Sequence, residues 1–298
     1  MNPQITIFTP SYNRAHTLTR AFESLKNQTF KDFEWIIIDD GSTDNTKEIV
    51  EHFIKNSDMD IRFYQQENRH KFLTFFRGIE LAKGKYFSPL DSDDALPEDS
   101  LEILISTWEK IKNIKKIVFV SSLCKDQYGN LVGDRFPKES LICSIFDMRY
   151  KYKVKGDKWG MGKTAIYKKM KLNFENLLGK GFIPEGVFQY QFDKLGLHYC
   201  INRITRIYFR DQADEHSLAN QFYDKKNAFG LAENYKAFLN AYSSKIWSFP
   251  IPVLRNIGGY LKFSRLDSRA YKTIIGEIHS GTIKFLVSIF YPFSKLIK

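Results

Sequence analysis

The sequence predicts an α/β fold, a doubly wound and mostly parallel sheet flanked by helices, followed by a helical C-terminal extension. Three observations carry this expectation. In the first 120 residues, short β-branched apolar runs alternate four times with stretches whose apolar residues recur at helical spacing. The runs from Gln4 to Thr9 and from Phe33 to Asp39 are almost continuously apolar, as strands covered on both faces must be. Acidic loops then follow two of the runs directly, at Asp39-Asp40 and at Asp91-Ser92-Asp93-Asp94. Strand C-termini are where open α/β sheets hold ligands.

The elements follow in order. Pro10 to Arg14 breaks the first strand, and Leu18, Ala21, Phe22 and Leu25 mark the first helix. After the second strand, Ser42 or Thr43 is placed to cap a helix carrying Ile49, Val50, Phe53 and Ile54. Ile61 to Tyr64 reads as a strand, Phe72 to Ala82 as a helix and Tyr86 to Leu90 as a strand. A helix from Pro97 to about Lys110 and a strand from Ile117 to Ser121 complete the alternation. From 122 to 215 the pattern is mixed, with a hairpin-like turn at Gln127-Tyr128-Gly129-Asn130 and a strand-like run from Ile204 to Phe209. Beyond about 216 the text is helical, broken between Ser248 and Pro252. The expected domains are therefore 1–215, in two parts over 1–120 and 121–215, and a basic helical extension over 216–298.

Charge narrows the partners. The 298 residues carry a net charge of +11, which suits an anionic partner. Residues 241–298 hold nine Lys or Arg against only Asp267 and Glu277. Neither GxGxxG nor GxxxxGK[ST] occurs, which disfavours a dinucleotide oxidoreductase and a P-loop ATPase. The three cysteines, Cys124, Cys143 and Cys200, show no zinc spacing and suit buried thiols in a reducing compartment. The first residues run straight into a strand-like segment without a leader pattern, and no apolar run reaches the length of a membrane span. The expected location is cytoplasmic, with a peripheral place on the inner membrane face open to the basic tail.

The strongest chemical signal is the run Tyr86-Phe87-Ser88-Pro89-Leu90-Asp91-Ser92-Asp93-Asp94. Three carboxylates in four residues repel one another, and a hard divalent cation such as magnesium or manganese relieves that repulsion. A solvated acidic turn ahead of a helix would carry the same letters. Tyr12 is suited to stack on a nucleobase, and Asp40 to accept from a base imide N–H. A surface aromatic and a loop acid are the plainer alternatives.

Thr9-Pro10-Ser11-Tyr12-Asn13-Arg14, Ile38-Asp39-Asp40-Gly41-Ser42-Thr43-Asp44 and Leu90-Asp91-Ser92-Asp93-Asp94 together resemble the three successive signatures of family 2 glycosyltransferases of the GT-A fold. Order and spacing both match, strongly over residues 3–120, weakly over 121–215 and hardly beyond. The resemblance implies that Pro10, Tyr12 and Arg14 line a nucleotide pocket and that Asp40 faces the base. It implies that Asp91 and Asp93 form the DxD pair holding a manganese or magnesium ion and the ribose-diphosphate, with Asp93 the direct ligand. Lys71 falls where a basic residue reaches the diphosphate or donor sugar; a solvated helix-start lysine is the alternative. Asn68-Arg69-His70-Lys71 departs from the Gly-rich form usual there, and Phe76 stands in place of a common Asn.

An inverting transfer needs a general base to take the acceptor hydroxyl's proton. The resemblance places it in a Glu-Asp pair before an amphipathic helix. Here that pair reads Glu185-Gly186, so Glu185 is the surviving carboxylate. Asp157, in Gly156-Asp157-Lys158-Trp159, is the second candidate base or an acceptor-site acid, and Trp159 a candidate sugar platform or a core residue. His216, in Asp214-Glu215-His216-Ser217, is a candidate late metal ligand.

In the tail, apolar Ile257, Leu261, Phe263, Leu266, Ile283, Phe285, Leu286, Ile289 and Phe290 mix with Lys and Arg. This suits either an anionic bilayer surface or a helix packed with its basic face in water. Nucleic acid is disfavoured.

The expected function is metal-dependent, inverting hexosyl transfer from a nucleotide-diphosphate sugar, a UDP-sugar by preference. The acceptor would be a hydroxyl of a glycan or lipid-linked acceptor, in bacterial surface polysaccharide synthesis. The alternatives are a nucleotidyltransferase and a non-catalytic glycan- or nucleotide-binding module.

Overall fold

The structure, a computed structural model, describes residues 2–170, 177–209 and 225–296. The chain divides into two compact units, Met1–Lys171 with Leu195–Gln212 and Leu172–Lys194 with Ala213–Lys298.

The first unit is built on β1 (Ile5–Ser11), α1 (Ala15–Lys26), β2 (Phe33–Asp39), α2 (Thr46–Lys55), β3 (Asp60–Gln65), α3 (His70–Leu81), β4 (Tyr86–Pro89), α4 (Ser100–Lys110) and β5 (Ile117–Asp126). After these come β6 (Leu141–Cys143), β7 (Lys158–Lys163), the short α5 (Thr164–Tyr167) and β8 (Leu197–Tyr208). Among the described residues, one sheet runs in the order β3-β2-β1-β4-β7-β5-β8-β6. β1 to β4 pair in parallel, β7 is antiparallel to both β4 and β5, β8 runs parallel to β5, and β6 is an antiparallel edge. The sheet is therefore mixed and mostly parallel, as expected.

Side chains alternate across each strand, so β1 feeds two cores. Ile5 and Ile7 join Leu18, Phe22, Leu25, Val50, Phe53, Leu104 and Trp108 in the main cluster. Phe8 meets Phe75 of α3 and Phe87 of β4, at ring centroids 6.0 and 5.8 Å apart. Gly78 lets α3 approach, because a Cβ there would lie 2.4 Å from the Phe8 ring. Trp159, buried in the main cluster, donates from Nε1 to the Pro89 carbonyl at 2.5 Å. It is a core residue and no sugar platform.

Several local expectations shift. The run at Ile204 belongs to a strand that starts at Leu197, and β7 carried no strand signal because Gly160 and Gly162 dilute its pattern. Ser42 caps no helix; its Oγ accepts from the Asn13 N–H at 2.8 Å, while Asp44 accepts from the Thr46 N–H. The turn at Gln127–Asn130 is present, with the Asp126 N–H donating to the Asn130 carbonyl at 2.8 Å. All three thiols are buried, and the Cys143 and Cys200 sulfurs lie 3.8 Å apart.

The second unit contains α6 (Gly186–Leu195), α7 (Ala228–Tyr242), α8 (Pro250–Leu266), α9 (Tyr271–Gly276) and α10 (Gly281–Phe290). The expected break narrows to Ser248 and Phe249, since Pro250 occupies the first turn of α8, where its missing N–H costs nothing. Tyr190 of α6 packs edge-on against Phe238 and Tyr242 of α7, and Tyr242 Oη donates to Asp193. No helix among the described residues is long and apolar enough to cross a membrane.

Candidate active site

The candidate site forms where the parallel strands end. β1 lies between β2 and β4, with Ser11 beside Asp39 and Phe8 beside Pro89. Two interstrand steps put the tips of β2 and β4 about 10 Å apart, with the β1 loop between them.

The first two motif loops are laced together. The Asn13 N–H donates to Ser42 Oγ, and the Thr43 N–H donates to Asn13 Oδ1 at 2.8 Å. The Ala15 N–H donates to Asp44 Oδ2, and the Asp40 N–H to the Ser11 carbonyl. Asn13 adopts φ 53° and Gly41 φ 85°, the left-handed turns that bring these loops together. Tyr12 is 41% exposed on this rim. Asp40 is buried, and its Oδ1 accepts from Gln66 Nε2 at 2.6 Å and the Arg69 N–H at 2.9 Å.

The third motif gathers the acids. Carboxylate oxygens of Asp91, Asp93 and Asp94 all lie within 4.8 Å of one another. The Asp94 N–H donates to the Asp91 carbonyl, and Arg20 donates to the Asp93 carbonyl at 2.6 Å, so the turn is fixed through its backbone. Three hard oxygen donors at this spacing fit a magnesium or manganese ion.

Cations surround the cluster. Lys71 Nζ, in the first turn of α3, lies 2.7 Å from Asp91 Oδ1. Arg206 of β8 lies with Nε 3.4 Å from Asp94 Oδ2 and its Nη2 3.5 Å from Asp157 Oδ2. Asp94 also accepts from the Phe209 N–H at 3.0 Å.

This arrangement splits the acids. Burial raises the Asp91 carboxyl, but the charges of Lys71 and Arg206 outweigh it and hold Asp91 below the usual range. Burial and the neighbouring Asp91 charge push Asp93 up, against Arg14 and Lys71. Burial pushes Asp94 to about 7, with the Asp91 and Asp93 charges adding to it and Arg206 opposing. The site thus holds one firmly ionised acid beside two whose ionisation a cation would favour.

Of the residues expected from sequence, the structure brings Asp91, Asp93 and Lys71 together, with Arg14 close enough for its charge to act on both acids. Pro10 lies within β1, and Asp157 joins the cluster through Arg206. Glu185 belongs to the second unit, where its backbone carbonyl opens α6 and its Oε2 accepts from Gln189 Nε2. His216 lies outside the described residues. Sequence reasoning missed Arg206 and Arg20. The pattern Ile204-Thr205-Arg206-Ile207 does contain a signal, since an arginine inside an otherwise apolar strand is buried only with a partner. In the loop that departs from the Gly-rich form, His70 takes a left-handed φ of 66° without being glycine.

Sheet order, strand-tip acids and linked loops define a mixed, mostly parallel α/β fold with an acidic cluster at its strand ends. Solved structures support the fold. The chain is similar to S. aureus TarS in complex with UDP, with a TM-score of 0.57 and 16% identity over 98% of this chain and 88% of that one. It is also similar to the mannosyltransferase PcManGT of Pyrobaculum calidifontis in complex with GDP-Man and Mn2+, with a TM-score of 0.54 and 13% identity over 99% of this chain and 81% of that one.

The model of glycosyl transferase family 2 matches residues 6–181, more than half the chain, and the chain belongs to that family. It is 33% identical to chondroitin synthase of Escherichia coli over 45% of this chain and 19% of that protein. It is 26% identical to the uncharacterized glycosyltransferase RT0329 of Rickettsia typhi over 82% of this chain and 73% of that protein. The chain spans about a fifth of the length of the E. coli synthase.

Proposed function

We propose that the protein transfers a hexose from a nucleotide-diphosphate sugar, a UDP-sugar by preference, to a hydroxyl of a glycan or lipid-linked acceptor, with inversion. The observation that carries this is the group of three carboxylates within 4.8 Å at the end of β4, flanked by Lys71, on a family 2 sheet. Domain 1–215 serves as the catalytic part and 216–298 as the extension, with bacterial surface polysaccharide synthesis as the setting.

Asp93 and Asp91 would hold a manganese or magnesium ion, with His216 a further ligand; when bound, such an ion would supply positive charge against the leaving diphosphate. Pro10, Tyr12 and Arg14 line the nucleotide, and Asp40 accepts from the base. Lys71 moves from Asp91 to a diphosphate oxygen, where a charge-assisted hydrogen bond replaces the ion pair. Glu185 takes the acceptor proton, with Asp157 the second candidate. Arg206 holds Asp157 beside the acid cluster, with Nη2 3.5 Å from its Oδ2. The extension keeps the enzyme at the inner face of an anionic membrane.

Calorimetry with UDP, with and without manganese, tests donor binding, and UDP release with candidate acceptors tests transfer. Asp93→Ala should abolish the manganese dependence of UDP binding while leaving thermal unfolding unchanged. Unaltered affinity would remove Asp93 from that role. Glu185→Gln and Asp157→Asn should each keep donor binding, and the one that loses turnover by about a hundredfold or more identifies the base.

A further inference from the structure

We propose that the C-terminal helices dock on an anionic phospholipid bilayer by inserting two apolar helix faces, with the basic side chains steering rather than holding the contact. This deepens the peripheral location proposed above and rests on it.

The first face is on α10. Ile283 and Val287 are buried, while Phe285 and Ile289, half a turn round, are exposed at 64% and 45%. Phe290 and Phe293 continue the exposed run into the short helical turn Tyr291–Leu296. The second face precedes and enters α8. Trp247, which closes the short helical turn before the break, and Ile251 and Leu254 on α8 are exposed, Trp247 at 82%, while Val253, Ile257, Tyr260 and Leu261 are buried. A helix that only packed its apolar side inward would leave Lys and Glu outside, not Phe, Ile and Trp.

The charge pattern selects the occupant. Residues 241–298 contain two acids, and both are taken up internally. Asp267 Oδ2 lies 2.7 Å from Arg269 Nε. Glu277 lies 2.9 Å from Arg269 Nη1 and 3.2 Å from Lys236 Nζ, and it accepts from Tyr260 Oη at 3.0 Å. With those acids matched, Arg255 and Lys272 stand exposed, and among the described residues the segment offers no further carboxylate to answer them. Exposed aromatic and aliphatic groups beside unopposed cations suit the headgroup boundary of an anionic bilayer. A second copy of the chain would bring the same cations and suffer like-charge repulsion.

Trp247 makes the test direct. The other tryptophans, Trp35, Trp108 and Trp159, are buried. A change in emission on adding lipid therefore reports on Trp247. Full-length protein is mixed with vesicles of phosphatidylglycerol and phosphatidylcholine, and with phosphatidylcholine alone. The expected result is a blue shift and co-sedimentation with the anionic vesicles, and a bound fraction largely retained when 0.5 M salt is added after binding. The variant Phe285→Ser/Ile289→Ser/Phe293→Ser should lose about tenfold or more in vesicle partitioning with an unchanged circular dichroism spectrum. Trp247→Ser should weaken partitioning less.

Binding that salt abolishes, without a blue shift and indifferent to the triple variant, would overturn insertion and leave an electrostatic association. No binding to either vesicle would overturn both insertion and the peripheral location, without touching donor binding or transfer. A dimer in sedimentation velocity that the triple variant dissolves would assign the faces to a second copy and overturn the lipid proposal.

Discussion

Lys71 Nζ stands 2.7 Å from Asp91 Oδ1, so a lysine already answers part of the charge that a divalent cation would answer. The same short segment reaches the neighbouring strand tip, because the Arg69 N–H donates to Asp40 Oδ1. One loop, residues 68–71, therefore touches both the β2 and the β4 acids.

Lys71→Met should act in opposite directions on two ligands. Manganese alone should bind several-fold tighter, because Asp91 loses a competing cation. UDP should bind about tenfold more weakly, because the diphosphate loses a charged donor. Isothermal titration of the variant with each ligand separately checks the pair of signs. Weaker binding of both would assign Lys71 a role in shaping the loop.

Arg206→Ala should lower stability by about 3 kcal/mol or more, since it leaves the buried Asp94 without its cation. Urea unfolding measures this. The double variant Arg206→Leu/Asp94→Leu should recover much of the loss, because it removes both buried charges. Failure to recover would mean that the Asp94 bond to the Phe209 N–H is the larger part.

Gly78→Ala sets two effects against each other. Alanine favours the helix by about 1 kcal/mol over glycine. Its Cβ would lie 2.4 Å from the Phe8 ring, and overpacking of that kind costs about 1–3 kcal/mol. We expect a net loss, seen as a lower thermal midpoint. Phe8→Leu in the same chain should soften it.

His198 gives stability a pH dependence. It is buried on β8 beside Ser121, and burial lowers it to about 4 from 6.5. The unfolded chain takes up a proton near pH 6.5 that the folded chain refuses until about pH 4. The His198 contribution is therefore full above about 6.5 and falls as pH drops towards 4, by up to about 3 kcal/mol. Asp94, raised to about 7, acts in the opposite direction over the same window, so the His198 part is read as the difference in denaturant midpoints between the wild type and His198→Gln, which should narrow as pH falls from 7 to 4.

The main run of elements was legible because β1 to β5 and α1 to α4 have short connections and strong periodicity, which local letters record. Acids at the β2 and β4 tips were legible for the same reason, since each motif sits directly after its strand. Lys71 was legible as a basic residue near the site, but its ion pair with Asp91 was not, because the partner is twenty positions away. Ser42 looked like a cap because a hydroxyl before a helix usually is one. The Asn13 N–H, brought close by the pairing of β1 and β2, claimed it instead.

The sequence by itself determined the α/β alternation and which loops carry the acids, since hydrophobic period and strand-end position are properties of neighbouring residues. Tertiary structure decided the rest: the insertion of antiparallel β7 between β4 and β5, the burial of Trp159, and the meeting of Arg206 with Asp94 and Asp157. The reason is distance along the chain. A charge buried by a strand more than a hundred residues later leaves no mark on its own neighbours, and only the folded sheet joins the two.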